Sequence, residues 1–146
     1  PERQMTVREA LSRLIKGVHA DLGDYRTLRE LLDAQFEAAL KHRAAVISDV
    51  ADRISGLTAQ LEKRRVERVA LAKVLTGKQN DVTIAAVSAR LPANARPAFD
   101  EWWQTLEKLV QECKRLNQRN CDLLMNQHEI LQRVLQADGG GTYAPA

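Results

Sequence analysis

The sequence predicts an all-α protein, an elongated antiparallel bundle or coiled coil of three long helices with one short extra helix. Only four prolines occur in the 146 residues. They leave two long proline-free blocks, 2–91 and 98–144, in which helices need not break. Both blocks carry apolar residues at alternating spacings of three and four, the period of a helix face. Aromatic residues make up only 4% of the chain, which is typical of narrow aliphatic seams between helices.

The first helix is predicted over about residues 6–41. Thr6 followed by Glu9 forms a capping box, in which a hydroxyl and a carboxylate satisfy free backbone N–H groups of the first turn. An apolar stripe then continues through the whole segment. Gly23 does not change its phase, so we expect one long helix with a weak point, because glycine costs about 1 kcal/mol relative to alanine. Two helices joined at Gly23 are the alternative.

The second helix is predicted over about residues 44–75, with a heptad seam of isoleucine, valine and leucine. Arg64 and Arg68 fall in the register of this seam, and there we expect weaker packing or an exposed stretch. No strong breaker separates the first two helices, but one continuous rod through both would be about 100 Å long. The remaining chain could not cover such a rod, so a fold-back is expected near residues 41–44.

A short helix and a long one complete the predicted bundle. The short helix spans about 82–91 and is capped by Asp81, and the long helix spans about 97–137. The adjacent rings of Trp102 and Trp103 cannot point to the same side of a helix. One ring should therefore face the bundle, while the other should cover the short helix or the loop that follows it.

All helices are assigned to one domain, residues 1–138, followed by a flexible tail at 139–146. The tail begins with three glycines, which end a helix because glycine has no side chain to restrict its backbone. No apolar run approaches the roughly 20 residues that a transmembrane helix needs. The first residues lack the apolar stretch of a signal peptide, and Cys113 and Cys121 are interpreted as reduced packing residues. We therefore expect a cytoplasmic protein without membrane insertion.

The residue patterns favour a protein that is not an enzyme and needs no cofactor or metal. The three histidines lie on separate segments, and none is spaced from a cysteine as zinc ligands are. No phosphate-binding glycine loop and no nucleophile with a base and an orienting group can be assembled. The run Lys63–Arg68 is the best candidate for binding nucleic acid, but it is short and contains Glu67. A solvated helix face is expected there, and no nucleic-acid partner.

The final helix carries the candidate binding surface. Near its end, two apolar ridges form a stripe wider than a two-helix seam requires. The ridges are Leu123, Ile130 and Val134, and Leu124, Leu131 and Leu135. Such a stripe is typical of a surface that receives a partner helix, with ordinary core packing as the alternative. Asn117 and Asn120, beside the seam, either fix the register of the bundle through hydrogen bonds or line an open groove.

The string LNQRNCDLL at residues 116–124 resembles the signature LNxxNgxLL of the FlgN family of flagellar export chaperones. Cys121 stands where the family usually has a small residue, commonly glycine. The pair Thr142 and Tyr143 resembles the threonine/leucine-Tyr-Gly sequence near the end of family members, with Ala144 in place of the glycine. The long-helix layout upstream agrees with the same family.

This resemblance implies a chaperone that keeps the hook–filament junction proteins FlgK and FlgL soluble and delivers them to the flagellar type III export apparatus. It also implies that the apolar C-terminal helices of these clients dock on the final helix, and that Tyr143 contacts the export gate. Together with the apolar ridges, it gives the expected partner-binding residues Asn117, Asn120, Leu123, Leu124, Gln127, Ile130, Leu131, Val134 and Leu135. The alternative function is a coiled-coil scaffold or assembly protein whose final helix forms a homodimer.

Overall fold

The computed structural model describes residues 5–139, and the side chains of residues 5–136. The helices in this part of the chain are α1 (Val7–Leu40), α2 (Ala44–Thr76), α3 (Ile84–Ala89) and α4 (Arg96–Gly139). No strand occurs among the described residues. The all-α class is therefore confirmed. Each helix end lies within two residues of the position expected from the sequence. The expected cap of the short helix is wrong, because the Thr83 hydroxyl, and not Asp81, accepts the hydrogen bond from the N–H of Ala86.

Helix α1 begins at its cap and continues without a break. The Thr6 hydroxyl oxygen accepts a hydrogen bond from the backbone N–H of Glu9 at 3.1 Å, which is the hydroxyl half of the capping box. The helix runs straight through Gly23, and the Thr27 hydroxyl donates to the carbonyl oxygen of Gly23 at 3.2 Å. The alternative of two helices joined at Gly23 is therefore wrong.

The chain reverses between α1 and α2 in the three residues after Leu40, where the fold-back was predicted. The N–H of Arg43 donates to the carbonyl of Ala38 at 3.0 Å. The N–H of His42 donates to the carbonyl of Ala39 at 3.2 Å. This pair of bonds is the Schellman motif that often ends a helix. His42 has φ of 52°, so a residue with a side chain occupies the left-handed position that this motif usually gives to glycine.

Helix α1 is the centre of the bundle, because α2 and α4 both pack along it. The chain runs up α1, down α2 and up α4, so α4 is parallel to α1 and antiparallel to α2. Helix α3 lies at the end of the bundle where α2 stops and α4 starts, and it touches both. The two outer long helices approach each other through side chains alone, as where the Arg68 guanidinium lies 5.2 Å from the centre of the Trp103 ring.

The two tryptophans divide between the two sides of α4. Trp102 faces α1, where its ring lies 4.2 Å from the ring of His19, centre to centre. Trp103 lies between α2 and α3, beside Arg68 and Val87. One ring therefore faces the central helix and the other covers the short helix, as the sequence predicts.

The apolar core forms three groups of buried side chains along α1. The largest lies beside α3 and contains Ala10, Leu14, Val18, Leu71, Ala72, Leu75, Val87, Leu91 and Phe99. The second contains Leu22, Leu106 and Leu109. The third contains Leu28, Leu32, Leu61, Cys113 and Leu116. All three groups end before the last third of α4, whose apolar side chains belong to none of them.

A cluster of charges is built into the α1–α2 interface beside this core. Asp21 is 1% exposed, and its carboxylate accepts hydrogen bonds from Arg64 at 2.6 Å and from Arg68 at 2.5 Å. A second nitrogen of Arg64 donates to Asp24. The expectation that Arg64 and Arg68 weaken the packing or mark an exposed stretch is therefore wrong. Both side chains are largely covered and neutralise a buried carboxylate.

Replacing Asp21 by asparagine should destabilise the fold strongly. The variant Asp21→Asn keeps the shape of the side chain but leaves two covered guanidinium groups without their shared carboxylate, a change that costs about 3–5 kcal/mol at a buried site. The matched control is Asp33→Asn, whose partner Arg119 makes an ion pair at the surface, so its loss should cost at most about 1 kcal/mol. Urea denaturation measures both, and equal costs would contradict a structural role for the cluster.

Replacing His42 by glycine should stabilise the reversal. A side chain in the left-handed region destabilises the folded state by about 1–2 kcal/mol, and glycine removes this strain. Part of the gain is lost because glycine also gives the unfolded chain more conformational entropy. We expect His42→Gly to raise the free energy of unfolding by about 0.5–1 kcal/mol and Lys41→Gly, at φ of −93°, to lower it. Thermal denaturation followed by circular dichroism measures the change. A lower melting temperature for His42→Gly would contradict the assignment.

Candidate partner-binding surface

Asn120 fixes the position of α4 along α1. It is buried, and its amide nitrogen donates to the carbonyl of Leu32 at 2.7 Å and to the side-chain oxygen of Gln35 at 2.8 Å. Its amide oxygen accepts two bonds from the guanidinium of Arg119, each 3.1 Å long. A buried amide with all its bonds made holds one register, because a shift of α4 would leave those groups unsatisfied. Of the two roles expected for Asn120, the structure favours the register contact.

Two further polar contacts complete this end of the α1–α4 interface. The Arg119 guanidinium lies 3.9 Å from the centre of the Phe36 ring and makes a 3.1 Å ion pair with Asp33. Two turns later, the side-chain nitrogen of Gln127 donates to the carbonyl of Ala39 at 2.8 Å. That carbonyl belongs to the last turn of α1, where carbonyls need partners from outside the helix. The interface stops here because α1 ends at the next residue.

Helix α4 continues beyond this point, and no other helix of residues 5–139 packs against it there. From Gln127, which meets the last turn of α1, it extends to Gly139, a further length of about 18 Å at 1.5 Å per residue. We call the segment His128–Gly139 the overhang. Its four large apolar side chains are exposed: Ile130 by 59%, Leu131 by 54%, Val134 by 51% and Leu135 by 58%.

The overhang repeats the pattern of the interface that precedes it. The α4 residues on the side facing α1 follow a three-four spacing: Cys113, Leu116, Asn120, Leu123 and Gln127. Ile130 and Val134 are the next two members of that series. Because α1 has ended, nothing among the described residues covers them. The overhang is therefore an apolar helix seam against which no described helix packs. Its exposed apolar surface costs about 25 cal/mol per Å² in water.

The structure spreads the expected partner-binding residues over the surface and the interior. The exposed ones are Asn117, Ile130, Leu131, Val134 and Leu135. The half-buried or buried ones are Leu123, Leu124, Gln127 and Asn120. Tyr143, expected to contact the export gate, lies outside the described residues, as does the part of the predicted tail from residue 140 on. The exposed aliphatic residues are thus concentrated in the overhang.

Three exposed apolar residues near this end of the bundle were not predicted from the sequence. Leu40 ends α1, Val46 lies in the first turn of α2, and Met125 precedes the overhang on α4. Leu40 and Val46 flank the reversal, so they lie at the same end as Gln127 and the overhang. The sequence signal was present only for Leu40, which is the last member of the apolar stripe of α1.

The two cysteines of α4 differ in their surroundings. Burial raises the pKa of the Cys113 thiol, and the charge of Glu112 raises it further, so this residue is a neutral thiol that donates to the carbonyl of Tyr25 at 3.5 Å. Cys121 is exposed, so the interpretation of both cysteines as packing residues holds for Cys113 and is wrong for Cys121.

No three His, Cys, Asp or Glu residues in the described range come together as metal ligands would. None of the described helices has the length and apolar character to cross a bilayer.

The family comparison agrees with this architecture. A family model described as FlgN protein matches residues 5–142, which include all four helices and the string at 116–124. No curated protein and no solved structure gives a significant match. FlgN proteins are chaperones rather than enzymes, and the family binds flagellar hook-associated proteins. The chain belongs to the FlgN family of flagellar export chaperones.

Proposed function

We propose that this protein binds the apolar C-terminal helix of a hook–filament junction protein of the FlgK or FlgL type through the overhang of α4. The client helix would take the position along Ile130 and Val134 that α1 holds beside the earlier part of α4. The observation that carries the proposal is the continuation of the α1-facing seam, with unchanged spacing, past the end of α1. An amphipathic helix laid along such a seam is a common mode of peptide recognition.

The composition of the overhang suits a chaperone that must release its client. Four aliphatic side chains there are each about half exposed, and covering the exposed half of one contributes on the order of 1 kcal/mol. Part of this gain is offset by the entropy lost on association. The resulting affinity is moderate, because no buried ion pair or hydrogen-bond network in the overhang strengthens the contact. A bare junction-protein helix would be protected from aggregation and still be free to leave.

The family signature contributes to this site in two ways under the proposal. Asn120 sets where α4 sits on α1 and so determines how much of α4 extends past the bundle. Leu123 and Leu124 are half-buried at the point where α1 ends, so they line the junction between the bundle and the client helix. Exposed Asn117 is left to contact the partner from the side.

Delivery to the export apparatus is assigned to the C-terminal tail. The proposal rests on the resemblance of Thr142 and Tyr143 to the end of the family sequence, and Tyr143 would contact the export gate. A client on the overhang and a gate contact a few residues later would bring the client to the apparatus directly. The protein would act in the cytoplasm, where its clients are made.

A charge placed in the overhang should abolish client binding. In Leu131→Asp, docking would bury an unpaired carboxylate, so we expect the affinity for a purified FlgK- or FlgL-type protein to fall by more than about tenfold. The matched control is Val66→Asp, which changes a similarly exposed apolar residue on α2 and should bind normally. Isothermal titration calorimetry measures binding, and circular dichroism checks that both variants keep their helices.

Two outcomes would defeat the proposal. Client affinity unchanged in folded Leu131→Asp would show that the overhang is not the docking site. A mass that rises with concentration in light scattering, is lost in Leu131→Asp and comes with no affinity for junction proteins would instead support the alternative of a homodimerising scaffold.

The variant Asn120→Ala separates the two roles considered for this residue. As a register contact, its loss leaves buried donors and acceptors without partners and should cost about 1–3 kcal/mol of stability. Client affinity of the folded protein should then change by less than about threefold, because Gln127 and the apolar seam still hold α4 on α1 and keep the overhang exposed. A large loss of affinity with normal stability in urea would show that Asn120 contacts the client instead.

A further inference from the structure

A second surface lies between α1 and α2. It is a cleft of about 440 Å³ that no residue of α4 lines, so it opens on a different face from the overhang. Its rim is strongly basic: the charged lining residues are Arg13, Lys16, Lys63, Arg64 and Arg68, with Glu67. The basic run noted in the sequence thus contributes to a shaped site, together with two cations from α1.

Only part of this positive charge is neutralised within the chain. Arg64 and Arg68 are held by Asp21 and Asp24. The other three cations have no hydrogen-bond or ion-pair partner among the described residues. When the negative charge of Glu67 is subtracted from these three, the cleft has an excess of two positive charges. The paired arginines hold the shape of the cleft because their carboxylate partners are fixed on α1.

Glycine keeps the floor of the cleft open. A Cβ added at Gly17 would meet no atom within 4 Å, so the space above this residue is empty. A second depression of about 700 Å³ continues along the same two helices, and it shares Ala20, Gln60 and Arg64 with the first. Gly56 opens its floor in the same way. We call the continuous feature, lined on α1 from Arg13 to Leu31, the basic groove; it is about 27 Å long.

We propose that the basic groove binds an acidic amphipathic helix of a partner protein, separately from the client helix on the overhang. The lining residues of α1 recur at spacings of three and four, as do those of a helix that packs against another helix. Small residues in the floor allow a third backbone to come close, and leucines such as Leu31 and Leu57 offer apolar contacts. The unpaired cations on the rim select a helix flanked by Asp or Glu.

Nucleic acid fits the groove less well. Proteins that bind single strands stack bases on aromatic rings, and no aromatic side chain lines either depression. Affinity for a phosphate backbone grows with the number of phosphates neutralised, and only three of the lining cations lack a partner within the described part of the chain. Leucine contacts and a narrow floor between two helices are features of a protein partner.

The test uses a fluorescein-labelled synthetic peptide of about 18 residues, the length of the groove. It carries leucine at heptad seam positions, glutamate beside the seam and alanine elsewhere, and a second peptide has lysine in place of glutamate. Fluorescence anisotropy with the full chain should show binding of the acidic peptide that is at least about tenfold tighter than that of the basic one, and that weakens with salt.

Two matched pairs of variants locate the binding. Gly17→Leu fills the floor of the groove, whereas Gly23→Leu adds the same side chain to an exposed position of α1 outside it. Both gain helix propensity, so both should fold, and only the first should lose affinity, by about tenfold or more. Likewise Lys16→Glu with Lys63→Glu should abolish binding, and Lys108→Glu with Lys114→Glu, exposed on α4, should not.

Several results would overturn the proposal. Absence of binding by the acidic peptide, equal binding of both peptides, or equal affinity of the Gly17→Leu and Gly23→Leu variants would each exclude an acidic helix in this groove. Binding of a single-stranded RNA of about 20 nucleotides, lost in the Lys16/Lys63 variant while the peptide fails to bind, would reassign the surface to nucleic acid. None of these results bears on client binding, because the overhang and the groove share no residue.

Discussion

The carboxylate of Asp21 between Arg64 and Arg68 determines how α2 lies on α1. Asp21 occupies the core position between Val18 and Tyr25 in the three-four series of α1, and the arginines occupy successive core positions of α2. Two helices joined by leucine seams alone can shift by one heptad relative to each other, because each leucine then packs against another leucine. A slip here would place the carboxylate against leucine, and an unpaired buried charge costs several kcal/mol. The cluster therefore selects a single register of α2 on α1, and the walls of the basic groove follow from that register.

The second outer helix is positioned on α1 in the same manner but with neutral groups. The amide nitrogen of Asn120 donates to Leu32 and Gln35, and that of Gln127 donates to the last turn of α1. Helices α2 and α4 meet only through side chains, and the polar contacts that align each of them are made with α1. Once this register is set, the length of the overhang is the distance by which the end of α4 passes the end of α1. A polar contact inside the bundle thus determines an apolar surface outside it.

The helices and the reversal were predictable, while the polar contacts that align them were not. Proline placement and three-four spacing determine helices locally, and the length of an unbroken rod required a fold-back near His42. The role of Asp21 was hidden because only apolar residues were followed along α1. The spacing had already placed Arg64 and Arg68 in the seam of α2, and the same spacing puts Asp21 in the seam of α1. Spacing places Asn120, and not Asn117, in the three-four series of α4, but it does not show which groups of α1 bond to the Asn120 amide.

The two proposed binding surfaces lie on different parts of the bundle: the basic groove between α1 and α2, and the overhang on α4 beyond the end of α1. The floor of the basic groove at Gly17 and the last turn of α1 at Ala39 are separated by 22 residues of continuous helix, or about 33 Å. Coupling between distant sites requires an element with two alternative arrangements, and the charge cluster and the Asn120 contact each hold only one. Occupation of one surface should therefore leave the affinity of the other unchanged. Under these two proposals the bundle would hold two partners at a fixed separation, so that a client could be carried while a second protein is engaged.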